Sequence, residues 1–164
     1  MKITVAIIFY LVFWAGCYAC TGSDKKHIAA LRTYPEPVRR AVRENPDFAG
    51  MVPPDRPVWK TVLGNLTFFA VFFSLLGLVL KTPLGLDNFS SAFLYFLALG
   101  EGLGLFDLLI IDLLWWRHTK RIRFSFLPDP EPYQDPKEHI MSFLRGIPMF
   151  AAAAVIVALV VSAF

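Results

Sequence analysis

The sequence predicts an all-α, polytopic membrane protein with four transmembrane helices, and three observations carry that prediction. Apolar residues make up 56% of the 164-residue chain, and its mean hydropathy is +0.54. Both values are high for a soluble domain of this length. The apolar residues fall in four blocks, each near the roughly 20 residues that a helix needs to cross a hydrocarbon core. Lys and Arg concentrate in two of the three connections, the pattern of short loops retained on the cytoplasmic side. The expected organisation is a single membrane domain, with helices over 3–20, 61–80, 91–116 and 140–164, long inner loops over 21–60 and 117–139, and a short outer loop over 81–90.

The first block, "MKITVAIIFYLVFWAGCYAC", also has a second reading as a cleaved signal, with Cys17 as an acylated residue after "WAG". Trp14 stands where such a box usually has Leu. Cleavage would also leave Lys25, Lys26, Arg32, Arg39, Arg40, Arg43, Arg56 and Lys60 outside, against the charge rule. Cys17 and Cys20 spell C-x-x-C. At the end of a membrane helix entering a reducing compartment they read as two small apolar residues, since the pair supplies only half of a tetrahedral metal site.

In the first inner loop, "YPEPVRRAVRENPDF" predicts a short helix that starts near Pro37 and ends at Asn45 and Pro46. Val38, Ala41 and Val42 form its apolar strip, and Arg39, Arg40 and Arg43 surround it. The expected placement is interfacial, with the strip in the bilayer surface and the arginines at phosphates, and the alternative is a solvated connector, since the strip is only three residues wide. "MVPPDRPVW" reads as an extended lead into the second span, because each proline disfavours helix in the residue before it.

The second inner loop changes character midway. Ile122, Phe124 and Phe126 alternate with Arg121, Arg123 and Ser125 in the manner of a short strand. "LPDPEPYQDPKEH" is proline-rich and acidic and is expected to be extended and exposed. Neither loop carries enough apolar residues to form a core of its own. The net charge of +3 belongs to this inner face. Anionic lipid, with a protein partner or a second copy of the chain as further possibilities, is therefore the implied partner, and nucleic acid is not.

The third block places the carboxylates Glu101, Asp107 and Asp112 inside an apolar run, "GEGLGLFDLLIID". On an α-helix turning about 100° per residue, Glu101 and Asp112 point within about 20° of each other, and Asp107 points about 120° away from Glu101. Such a helix cannot turn a whole side to lipid without exposing an acid, which costs roughly 2.5 to 3.5 kcal/mol near the bilayer centre, so it is expected inside the bundle. Gly100 and Gly104 add a small-xxx-small spacing for close helix approach. Depth matching makes Arg145 the first-choice ion partner of Asp112, with Asn65 a polar group at the same level, while Glu101 has no charged partner at its depth.

Two functional classes follow. Asp107, Asp112, His118, His139 and Arg145 form a candidate rim site, with Lys120, Arg121, Arg39, Arg40 and Arg43 for head groups or phosphate. The lead reading is a non-enzymatic binding or accessory subunit that needs no cofactor. The alternative is a small membrane enzyme or ion-coupled component, which allows a divalent metal on His118 and His139. The chain has no H-E-x-x-H, G-x-S-x-G or Walker lysine, and "GEGLG" lies inside a span with no strand before it.

"DLLIIDLLWWRHTKR" resembles a segment of an uncharacterised family of small four-helix integral membrane proteins of Gram-positive bacteria. The shared pattern stands here as Asp107, Asp112, Trp115, His118, Lys120 and Arg121, then Tyr133, Asp135 and His139. "LRTYPEPVRRAVRENPDF" is similar to the family's first inner loop, whereas "PDPEP" replaces the expected Pro-Gly-Thr-Glu type of turn. The resemblance implies the four-helix topology and a bacterial plasma membrane and directs attention to the inner rim, while the charge pattern of the loops predicts both termini outside.

Overall fold

The computed structural model describes residues 1–54 and 56–164, and all of the regular structure among them is helical. In chain order the helices are α1 (Lys2–Ala19), α2 (Asp24–Ala29), α3 (Glu36–Glu44), α4 (Pro46–Ala49), α5 (Val58–Leu84), α6 (Phe89–Phe106) and α7 (Lys137–Ala163). A π-helical segment, Asp107–Trp116, continues α6 directly. Four of these runs are long and apolar enough to cross a membrane, as expected: α1, α5, α6 with its π continuation, and α7. Both α5 and α7 begin three residues before their predicted starts. Val58 and Trp59 are therefore helical rather than part of an extended lead, whose Asp55 lies outside the described residues.

Local chemistry sets the ends of these helices. Gly85 follows α5 at φ +61, the left-handed conformation that glycine adopts without a Cβ penalty, and Leu86 N–H closes the turn on the Lys81 carbonyl at 3.0 Å. Asn88 and Ser91 cap α6 reciprocally. Ser91 N–H donates to Asn88 Oδ1 at 2.9 Å, and Asn88 N–H donates to Ser91 Oγ at 3.3 Å. At the start of α4, Asn45 Oδ1 accepts from Asp47 N–H at 2.9 Å, and Pro46 occupies the first turn, where no N–H is needed.

The chain divides into two compact units. The first comprises Met1–Tyr10, Arg56–Leu105 and Phe143–Phe164. Its core is built from Phe73, Phe96, Leu99 and Leu103 with the small face of α7, Ala153, Ala154, Val157 and Val161. Close approach depends on glycine here. A Cβ on Gly100 would lie 2.7 Å from the Phe150 ring, and one on Gly77 would lie 2.6 Å from Val161. Gly104 meets the same Phe150, so the small-residue stripe predicted on the third span faces α7. Lys81 Nζ donates to the Val161 carbonyl at 3.0 Å, and Tyr10 OH donates to the Leu99 carbonyl at 3.1 Å.

The second unit, Leu11–Asp55 with Phe106–Ser142, changes the reading of the polar loops. Each loop lacks a core of its own, but together they build one. Ile28, Leu31, Tyr34, Val38 and Val42 of the first loop pack with Trp116, Ile122, Phe124 and Tyr133. The apolar strip of α3 therefore faces protein rather than the bilayer interface, with Val38 and Val42 fully buried. No strand forms over 121–126. Turns take its place, and Ile122 and Phe124 still point inward because the alternation selected the right side chains for burial. Tyr133 leaves the expected exposed tail and enters this core, where its hydroxyl accepts from Phe124 N–H at 3.0 Å and donates to the Leu127 carbonyl at 2.9 Å.

Polar bonds between the two loops fix this arrangement. Tyr34 OH, fully buried, donates to the Ile122 carbonyl at 2.8 Å, and both Asp24 carboxylate oxygens accept from Ser125. Arg121 spreads its guanidinium over the Tyr18 ring at 3.9 Å and donates to Thr21 Oγ1 at 3.1 Å and to the Thr21 carbonyl at 3.2 Å. Gly22, at φ +96, lies under that guanidinium, where a Cβ would sit 2.7 Å from Arg121 Cζ.

His27 is buried within the same junction. Gly22 N–H donates to its Nε2 at 3.1 Å, and the Arg121 carbonyl lies 3.0 Å from the same nitrogen, so one tautomer serves only one of them. Burial holds the imidazole below its usual value, offset in part by the Arg121 carbonyl and Asp24. The unfolded chain takes up a proton near pH 6.5 while the folded ring resists it. This contribution to stability is thus complete above about pH 6.5 and is lost as the pH falls toward the folded-state value. Denaturation midpoints measured from about pH 7.5 to about pH 5 are expected to fall in the native chain and to fall less in His27→Gln.

Candidate functional site

The π-helical segment decides the geometry of the site. Ten continuous residues in this winding is long, since π geometry occurs mostly as single-turn bulges. In an α-helix, residues five apart diverge by about 140°. The i→i+5 ladder holds more residues per turn and brings them close to one face. Asp107 and Asp112 are so spaced, and the pattern of exposure follows the same wider period. Leu105, Leu109, Ile110 and Leu114 face outward, while Ile111 and Trp116 are buried.

Asp112 pairs with His139, with Oδ1 2.9 Å from Nδ1. His139 stands in the first turn of α7, because that helix starts at Lys137 rather than at residue 140. The expected partner, Arg145, is exposed, and His139 takes its place at the carboxylate. Trp116, which sequence reasoning did not include, packs its ring edge-on against His139 with centroids 5.6 Å apart. His139 and Trp116 are each 8% exposed, and neither His139 Nε2 nor Trp116 Nε1 has a hydrogen-bond partner among the described residues. Asp107 lies within electrostatic range of Asp112 and His139, and Cys17 within range of both aspartates. Cys17 and Cys20 are free thiols.

The remaining candidates are distributed elsewhere. His118 is exposed, with Nδ1 2.6 Å from the Leu114 carbonyl, so the two histidines expected to face each other are used separately. Among the described residues, no three His, Cys, Asp or Glu side chains form a group suited to a metal ion. Arg121 lies over Tyr18 and donates to Thr21, and Arg39 bridges Glu36 at 2.8 Å and Glu138 at 3.2 Å. Arg40, Arg43 and Lys120 are exposed. Glu101 is half-buried and Asn65 exposed on their helices.

Chemically, the pair offers one well-defined function. When the ring is neutral and its Nδ1–H is held by the carboxylate, Nε2 is a lone-pair acceptor, an arrangement that orients an imidazole toward a proton, a metal or a hydroxyl. Comparison of the chain with protein-family models, curated proteins and solved structures gave no match.

Proposed function

We propose that this chain is a non-enzymatic, multi-pass protein of a bacterial plasma membrane, with both termini outside, and that its cytoplasmic rim binds anionic lipid head groups. The single observation behind this reading is the folding of the two long loops into one unit with a buried aromatic core. Connectors need no such core, whereas a recognition surface gains from being preorganised. That unit leaves Lys25, Lys26, Arg40 and Lys120 exposed, and Arg56 and Lys60 precede or open α5 on an equally exposed stretch. The Lys and Arg bias of these loops supports their placement inside, and each basic side chain near an anionic surface contributes about 1 kcal/mol.

Native mass spectrometry of the protein released from bilayers of equal phosphatidylglycerol and phosphatidylcholine provides the test. Enrichment of phosphatidylglycerol on the protein is expected, and Arg40→Glu with Lys120→Glu lowers it by about thirtyfold, as two contributions of about 1 kcal/mol imply. Equal retention of the two lipids by the native chain would remove the proposal.

A further inference from the structure

We infer that His139 and Trp116 together hold one hydroxyl group, donated by an ordered water or by a polyol lipid head group. The juxtaposition that carries this is a buried acceptor beside a buried donor. His139 Nε2 and Trp116 Nε1 are both without partners, on adjoining rings, and both residues are more than nine-tenths buried. Unsatisfied buried polar atoms are rare in native proteins, and each calls for a partner. In the neutral ring, a carboxylate at Nδ1 holds the proton there and leaves Nε2 to accept. The indole N–H only donates.

A hydroxyl oxygen satisfies both demands at once, accepting from Nε1–H and donating its own proton to Nε2. A phosphate oxygen or a carboxylate has no proton to give Nε2, and a methyl group meets neither need. With a lipid as the source, the inference rests on the head-group reading above, whereas with water as the source it stands without it.

The test is solution NMR of the 15N-labelled chain in nanodiscs, one set containing phosphatidylglycerol and one containing phosphatidylcholine only. Trp116→Phe assigns the Trp116 indole signal by its loss. The expected result is a hydrogen-bonded indole proton with a through-space cross-peak to its guest, and a His139 Nε2 resonance shifted as a bonded acceptor. A cross-peak to water in both lipids identifies a buried water, while one to glycerol protons in phosphatidylglycerol discs alone identifies the head group. An indole proton with no cross-peak to either, or a His139 Nε2 resonance of a free acceptor, overturns the inference whatever the lipid preference of the protein. Loss of phosphatidylglycerol enrichment with the water cross-peak intact instead refutes the head-group reading and leaves the hydroxyl site standing.

Discussion

Phe124→Ala is expected to destabilise the loop unit by about 3 to 5 kcal/mol, the range for emptying a buried aromatic position. Phe124 is 1% exposed, and its ring meets Tyr34 at 5.6 Å, His27 at 5.3 Å and Phe126 at 5.6 Å. Its N–H also bonds the Tyr133 hydroxyl, so collapse into the cavity is resisted by a fixed backbone. Hydrogen exchange is the measurement, because it separates the two units. Amides of α2, α3 and 120–134 should lose protection together, while those of α5 keep theirs. Unchanged protection over 24–44 would show that the loops do not share a core.

His139→Ala is expected to cost a similar amount, about 3 to 5 kcal/mol, because it strands a carboxylate whose side chain is only 14% exposed. Replacing both partners with apolar residues, Asp112→Leu and His139→Phe, should recover a large part of that loss, since no charge is then left buried. Arg145→Gln should change stability by less than about 0.5 kcal/mol, as expected of an exposed position. A denaturation double-mutant cycle decides between the two partners. Strong coupling of Asp112 to Arg145, with none to His139, would reverse the assignment.

The gap between the depth-matched partner and the observed one has a specific origin. The depth and direction expected for Asp107 and Asp112 assume α-helical rise and rotation, whereas the chain winds as a π-helix from Asp107 onward. The start of α7 also moved by three residues, which carried His139 from the loop onto the helix. The rim residues Asp107, Asp112 and His139 were nevertheless legible, because ionisable side chains in or beside an apolar run stand out against their neighbours. Trp116 was not. A tryptophan near the end of a span is the usual interfacial residue, and nothing in its local sequence distinguishes one whose indole is turned inward.

The sequence by itself determined the four helices long and apolar enough to cross a membrane, their approximate limits, the short helix after Pro35 and the glycine stripe that meets Phe150. These depend on hydropathy summed over a window, on proline and glycine backbone limits and on side-chain size, all of which are local properties. Only the tertiary structure decided that the two polar loops fold as one. Tyr34 finds the Ile122 carbonyl 88 residues away, and Asp24 finds Ser125 101 residues away. A strip of three small apolar residues has the same appearance whether bilayer or protein covers it. The outcome depends on free energy released by contacts distant in the chain, so no window over α3 alone contains it.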